Sequence, residues 1–122
     1  MTDPRRGLGR RGEALAVAEL AQRGYAIRRC NWRCSEGEMD VVAEHDGWLV
    51  FVEVRTRRGR DLGTPEVSIT AAKRARLIRV AQSYLAEFEP EEIDWRIDVV
   101  AVELEKSGTL ARIDVYENAV RG

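Results

Sequence analysis

Apolar residues recur along this chain with two periods, and the changes of period predict an α/β protein with elements in the order α-β-β-β-α-β-β. Two stretches keep apolar residues on one side of a helix, while five shorter stretches are rich in strand-forming residues. Gly24 follows the first helix in a capping position, and Pro90 ends the second. The predicted elements are a helix over residues 8–23, strands over 25–33, 39–45 and 48–56, a basic loop over 57–65, a helix from Ser68 or Thr70 to Phe88, and strands over 95–103 and 110–116.

The pair Asp46-Gly47 predicts a two-residue hairpin turn, because Asp and Gly tolerate the positive φ that such turns need. Centring the turn there places Asp40 opposite Glu53 on one face of the sheet. Directly opposed side chains lie about 5 Å apart, so two carboxylates would repel each other unless a cation lay between them. A hard divalent cation prefers oxygen ligands, and the neighbouring Val54 carbonyl offers a third one.

A plainer interpretation of the same acids stays open. Acidic residues near strand ends are commonly solvated, and the same register places Glu38 opposite Arg55. Glu38 and Asp40 could therefore form ordinary cross-strand ion pairs with Arg55. A register shifted by one residue would also send Asp40 and Glu53 to opposite faces of the sheet, so the metal hypothesis depends on the turn.

Two charged residues stand at the start of apolar helical stripes. Glu13 is expected to face the sheet, where it either caps its stripe or joins the metal site as a further carboxylate. Lys73 points inward in the same way at the start of the second helix. The apolar partners of Glu13 are Ala16, Val17 and Leu20, and those of Lys73 are Leu77, Ala81 and Tyr84.

The composition is that of one globular domain spanning residues 1–122. The 122 residues are 44% hydrophobic and 34% charged, which excludes a disordered chain. No apolar run approaches the roughly 20 residues of a membrane span, and no signal-peptide core follows the basic start. We therefore expect a cytoplasmic protein without a membrane partner. Cys30 and Cys34 would lie about 13 Å apart on a strand, beyond disulfide reach, and with His45 they are too few for a zinc site.

Charge is segregated along the chain although the net charge is only −1. Residues 1–35 carry eight Arg against three acids, residues 36–54 carry six acids and no Lys or Arg, and residues 55–79 carry eight bases against two acids. An acidic centre flanked by basic segments suits a polyanion held around bound cations. The residues expected to contact phosphates are Arg10, Arg11, Arg57, Arg58, Arg60, Lys73 and Arg74.

Four motifs in sequence order resemble the YraN family of small bacterial proteins, over nearly the whole chain. They are Gly37-Glu38-Met39-Asp40, Phe51-Val52-Glu53-Val54-Arg55-Thr56-Arg57, Lys73-Arg74-Ala75-Arg76-Leu77-Ile78 and Arg96-Ile97-Asp98-Val99-Val100. That family resembles in turn the PD-(D/E)XK nucleases and especially the archaeal Holliday junction resolvases. The resemblance implies a restriction-endonuclease-like core, α-β-β-β-α-β, here with an extra C-terminal strand in a mixed sheet flanked by helices.

The resemblance also implies a site. Asp40 and Glu53 correspond to the acids that bind Mg²⁺ or Mn²⁺, and Glu13 corresponds to the acid of the N-terminal helix of the resolvases. Arg55 stands where the nuclease motif has Lys. Arg effectively cannot lose its proton, but it can still offset negative charge in a transition state. The substitution therefore puts the rate of hydrolysis in doubt more than metal binding.

These observations lead to three hypotheses of different classes. The first is a metal-dependent endonuclease acting on DNA, selective for structure because no motif reads base edges. The second is a nucleic-acid-binding module of the same fold that cleaves weakly or not at all, and the third is a protein-interaction domain. RNA stays open beside DNA. The resemblance to the resolvases implies a homodimer, with a monomer as the alternative.

Overall fold

The computed structural model describes residues 4–59 and 69–121, and it confirms the type and order of the seven predicted elements. They are α1 (Pro4–Gln22), β1 (Ala26–Cys34), β2 (Gly37–His45), β3 (Trp48–Arg58), α2 (Ala71–Phe88), β4 (Trp95–Leu104) and β5 (Leu110–Val120). The start of α2 falls at the second of the two predicted places, because Thr70 is its N-cap and accepts a hydrogen bond from the Lys73 N–H. The segment 60–68, which holds Arg60 and most of the predicted basic loop, lies outside the described residues.

Several predicted boundaries were wrong, including the start of β2, which lies at Gly37 instead of residue 39. The first helix starts at Pro4 instead of residue 8, which the fixed φ of proline allows in a first helical turn. Arg57 and Arg58 were predicted in a loop but lie in β3, because β4 runs alongside and pairs with both. The last strand continues beyond residue 116 to Val120, which pairs with Ile97.

All five strands form one mixed sheet in sequence order. The pair β3–β4 is parallel and α2 makes the crossover between them, whereas the other three pairs are antiparallel. The two helices cover opposite faces, since Phe51 packs in the cluster that contains α2 and its neighbour Val50 packs in the cluster that contains α1. The predicted α/β class, with helices flanking a mixed sheet, is confirmed.

Helix α1 lies unusually close to β3. A Cβ atom added to Gly12 would come 1.7 Å from the Thr56 Oγ1 atom, so only glycine fits at that crossing. This contact holds the following residue, Glu13, over the end of the sheet. Neither α1 nor α2 is both long enough and apolar enough to cross a membrane, in the part of the chain that the structure describes.

The β2–β3 hairpin turns where the sequence predicted. Asp46 and Gly47 both have positive φ, 51° and 82°, as a two-residue turn of the type I′ class requires. The register pairs His45 with Trp48 and continues to Val41 with Val52. The regular pairing ends there, one pair before Asp40 and Glu53. The prediction that these two acids lie directly opposite each other in a regular ladder was therefore wrong in detail. The predicted pairing of Glu38 with Arg55 is also absent from this register, and Glu38 pairs with Arg33 at 3.6 Å instead.

The ladder stops because β1 and β2 are irregular at one level. Asn31 has a φ of 55° and does not pair with Asp40, although the residues on both sides of it keep one register with β2. Met39 and Val42 pack on the same face of the sheet, whereas a regular strand would send them to opposite faces. The irregularity turns Asp40 out of the pleat and towards β3.

Candidate metal centre

Two carboxylates meet where β2 leaves β3. The Asp40 Oδ2 atom accepts a 2.8 Å hydrogen bond from the Val54 N–H. This side chain therefore links β2 to β3 beyond the last backbone pair of the ladder. Glu53 Oε1 lies 3.3 Å from Lys73 Nζ on α2, and the Glu53 side chain is only 12% exposed. Two acids that are distant in sequence therefore share one small region at the end of the sheet.

The backbone of Val54 adds a third oxygen to this region. In an antiparallel pair the N–H and C=O of one residue point to the same side of the strand. The Val54 N–H points to Asp40, so its carbonyl also faces the side on which Asp40 lies. The Val54 carbonyl, the predicted third ligand, is therefore directed to the side of β3 on which Asp40 lies.

Burial shifts both acids towards their neutral forms, and the charge of Glu53 adds to the shift of Asp40. Burial raises the pKa of Asp40 to about 7, and the charges of Glu53, Glu13 and Glu38 act in the same direction while the Val54 N–H opposes them. Burial also raises the pKa of Glu53, against the lowering effect of Lys73 and then of Arg55. A cation placed between the two groups would stabilise both charges.

The donor set fits a hard ion such as Mg²⁺ or Mn²⁺ better than zinc or copper. In the described ranges, no three His, Cys, Asp or Glu side chains converge well enough to hold a metal by themselves. Mg²⁺ is commonly bound through one or two carboxylates and keeps several waters, so two acids and a carbonyl suffice for it. Both cysteines are free thiols, as predicted, and neither is part of this group.

Metal-free protein is expected to become less stable as the pH rises from about 5 to 8. The folded-state pKa of Asp40, about 7, lies above its ordinary value, so the folded protein holds a proton that the unfolded chain has already released. This contribution is complete below the unfolded pKa and is lost as the pH rises through the folded pKa, at a cost on the order of 2–4 kcal/mol. Urea unfolding in EDTA at each pH measures it.

Asp40→Asn should flatten this pH dependence, since every other titrating group is unchanged. Glu44→Gln is the matched control, because Glu44 is an exposed acid on the same strand. An Asp40→Asn slope equal to that of wild type would show that Asp40 titrates normally.

Glu13 reaches the same end of the sheet from the face that α1 covers. It lines a cleft of about 380 Å³ together with Arg10, Arg33 and Glu38. Its charge contributes to the raised pKa of Asp40. The prediction that Glu13 faces the sheet is confirmed, whereas its membership of a metal site stays a prediction.

The predicted phosphate contacts fall into separate groups around this end of the molecule. Arg11 donates to the Gly108 carbonyl at 2.8 Å and Arg58 donates to the Lys106 carbonyl, so both face the β4–β5 turn. Arg57 pairs with Glu103, which is buried on β4. Lys73 contacts Glu53 on the α2 side, and the neighbouring Arg74 is exposed.

A buried polar network on the face of the sheet that α1 covers was missed by the sequence analysis. Asp98 on β4 is fully buried and accepts hydrogen bonds from the Tyr25 hydroxyl at 2.7 Å, the Arg96 Nε at 3.0 Å and the Asn118 N–H at 2.8 Å. His45 stacks on Tyr25 with ring centroids 4.0 Å apart, and its Nδ1 lies 2.8 Å from Arg96 Nη2. The only local signal was an acid inside the apolar run of β4, and its partners lie far away in sequence.

Comparison with known proteins places the chain in a family. Residues 12–102 match the model of uncharacterised protein family UPF0102, and this range includes Asp40, Glu53, Lys73 and Asp98. The chain belongs to the UPF0102 family. This confirms the predicted YraN family membership, since the two names denote one family.

Relatives with the same family name come from several bacteria. The UPF0102 protein of Roseiflexus castenholzii is 56% identical over 103 residues, which cover 84% of this chain and 83% of the relative. The UPF0102 protein of Moorella thermoacetica is 44% identical over 119 residues, 98% of this chain and 99% of the relative. The UPF0102 protein of Symbiobacterium thermophilum is 46% identical over 114 residues, 93% of this chain and 96% of the relative.

Proposed function

We propose that this UPF0102 protein is a Mg²⁺- or Mn²⁺-dependent endonuclease that hydrolyses phosphodiesters in DNA. The observation that carries the proposal is the convergence of two partly buried carboxylates, Asp40 and Glu53, with the backbone of Val54 at one end of the sheet. Partly buried acids that lie close together lower the stability of a protein, so a cation that they bind is the best explanation for their presence. Basic side chains at the same end supply contacts for the phosphates on either side.

Each group has a role in this proposal. Asp40, Glu53 and the Val54 carbonyl would hold the ion. Arg55 offsets the negative charge that develops on the phosphate. Glu13 offers a further carboxylate on the α1 side. When bound, the ion supplies a local positive charge and makes water more acidic. Water oxygen forms a bond to phosphorus and releases a proton to solvent. The P–O bond to one sugar breaks, and its electron pair stays on the leaving sugar oxygen, which takes up a proton.

A cleavage assay tests the proposal directly. Duplex, single-stranded, flapped and four-way DNA, with single-stranded and duplex RNA beside them, should be incubated with the protein in Mn²⁺, in Mg²⁺ and in EDTA. We expect cleavage of at least one DNA substrate in Mn²⁺ and none in EDTA. The absence of cleavage for every substrate in Mn²⁺ would contradict the proposed activity.

Affinity for DNA is expected to fall steeply with salt, because each phosphate contact releases a counterion. Arg10→Gln combined with Arg58→Gln should flatten the plot of log affinity against log salt by about two units. These two arginines are better targets than Arg57, whose removal would leave the buried Glu103 without that partner. Fluorescence anisotropy at several salt concentrations measures the slope.

The matched control removes two positive charges from the other end of the molecule. Arg23 follows α1 and pairs with Glu19 one helical turn earlier, and Arg121 follows the end of β5. Arg23→Gln with Arg121→Gln should keep the wild-type slope. An equal loss of slope in both double variants would mean that net charge, and not this surface, governs binding.

The second candidate function is a nucleic-acid-binding module that does not cleave. Arg55 favours it, because a guanidinium group stands where the resembling nucleases have a lysine and cannot donate or accept protons as that lysine could. Salt-dependent DNA binding without cleavage in Mn²⁺ would support this candidate. No affinity for any nucleic acid at low salt would leave only the protein-interaction hypothesis.

We propose that the nuclease acts as a homodimer, because paired cuts on opposite strands need two sites and each copy carries one. The strand β5 ends the sheet, and Leu110 on it is 38% exposed. Sedimentation at several protein concentrations, with and without a four-way junction, should show a dimer. A monomer under all these conditions would limit the proposal to single-strand nicking.

A further inference from the structure

Lys73 holds the place beside Glu53 that a divalent cation needs. The Lys73 side chain is 36% exposed and the Glu53 side chain is 12% exposed, and the two charged groups lie 3.3 Å apart. The ammonium group therefore stands towards the solvent side of the pair and the carboxylate lies deeper. An incoming cation meets Lys73 before it can replace it at Glu53.

The sequence directs Lys73 to this position from within α2. Its backbone N–H is held by the N-cap Thr70 at 3.1 Å, which places Lys73 in the first turn of the helix. Leu77, four residues later, is buried against the sheet, so Lys73 extends the same inward stripe. The helix thus points one long cationic side chain at Glu53.

The described residues that line the cleft around the pair are mainly basic. The cleft has a volume of about 370 Å³, and its described lining includes three cations, Arg55, Lys73 and Arg76, and the Glu53 carboxylate. The first turn of α2 contains no acid, although acids are favoured at the positive end of a helix. A cleft built in this way suits an anion as soon as Glu53 is occupied by another partner.

We infer that Glu53 exchanges Lys73 for a divalent cation, and that the released ammonium group then binds a phosphate oxygen of the substrate. The inference rests on the proposed function, since it names the group that meets the phosphate at the same site. It requires no proton transfer, because Lys73 keeps its charge throughout. The long flexible stem of lysine lets the ammonium group move by several ångströms while the helix stays in place.

Two binding measurements with opposite expected signs test the inference. Calorimetric titration of metal-free protein with Mn²⁺ should show about fivefold tighter binding in Lys73→Gln, because a competing positive charge has been removed. With Ca²⁺ present, Lys73→Gln should bind a short DNA duplex about tenfold more weakly than wild type does, because a charged phosphate contact is lost. A merely structural residue would not move the two affinities in opposite directions.

Two control variants keep the test interpretable. Lys73→Arg should restore both affinities to within about threefold of wild type, because it keeps the charge and the reach. Arg23→Gln removes one positive charge from the exposed end of α1 and should leave both affinities unchanged. Circular dichroism of each variant verifies that the fold is retained.

The outcomes separate this inference from the proposed activity. Weaker Mn²⁺ binding in Lys73→Gln, or unchanged affinity for the duplex, overturns the exchange. Failure of the wild-type protein to bind Mn²⁺ overturns both the exchange and the metal site. If the two affinities shift as expected but no substrate is cleaved, the exchange is supported and only the nuclease activity fails.

Discussion

Glu53→Gln is expected to lower Mn²⁺-dependent cleavage by about a thousandfold or more. The variant keeps the shape of the side chain but removes the negative charge that would hold the ion between Asp40 and β3. Loss of a single group that stabilises transition-state charge typically costs a factor of about 10²–10³, and loss of the ion itself costs more. Initial rates on the best DNA substrate, measured with saturating Mn²⁺, give the comparison.

Asp40→Asn should fall to the same low rate, because the two acids act on one ion and their effects are not additive. The exposed acid Glu44 on the same strand offers a matched control, and Glu44→Gln should cleave at the wild-type rate. Equal cleavage by wild type and both site variants, after identical purification, would show that the activity comes from a contaminant or from another part of the chain.

The second large effect is expected at Asp98, on the strand that pairs with β3. Asp98→Ala should reduce the free energy of unfolding by about 3–5 kcal/mol, because it leaves the charge of Arg96 in a site that is only 10% exposed. The Tyr25 hydroxyl and the Asn118 N–H would lose their acceptor at the same time. Urea unfolding at neutral pH measures the loss.

The neighbouring acid Asp94 supplies the comparison for this prediction. Its side chain is exposed just before β4, so Asp94→Ala should change stability by no more than about 0.5 kcal/mol. The free energy of unfolding of Asp98→Asn should lie between those of wild type and Asp98→Ala, since an amide oxygen can still accept from Tyr25 but does not pair ionically with Arg96. A loss below about 1 kcal/mol in Asp98→Ala would mean that water or a rearrangement replaces the network.

The hairpin and the helices could be predicted from sequence because their signals are local. Asp46-Gly47 sets the turn and therefore the register out to Val41 and Val52, and Thr70 marks the start of α2. The inward direction of Lys73 followed from helical spacing alone. These features depend on residues within a few positions of each other, where residue preferences are strong.

What the sequence did not reveal depends on partners that are distant along the chain. The strand β3 keeps Arg57 and Arg58 because β4, about 46 residues later, lies beside it. The break in the ladder at Asp40 depends on the positive φ of Asn31 on a different strand. Asp98 is satisfied by groups from β4, β5 and the segment after α1, which no local pattern could bring together.

The Val54 amide proton reports the charge of the Asp40 carboxylate, because the Val54 N–H donates a hydrogen bond to it. In an ¹⁵N-labelled sample, the Val54 amide resonance follows Asp40 as protons or metal ions arrive, without any substrate or substitution. The Asn118 amide on β5 donates to Asp98 in the same manner, and because β3 and β4 separate it from Asp40, it serves as an internal reference. The occupancy of the proposed metal centre can thus be recorded on the intact protein as the divergence of two signals in a single spectrum.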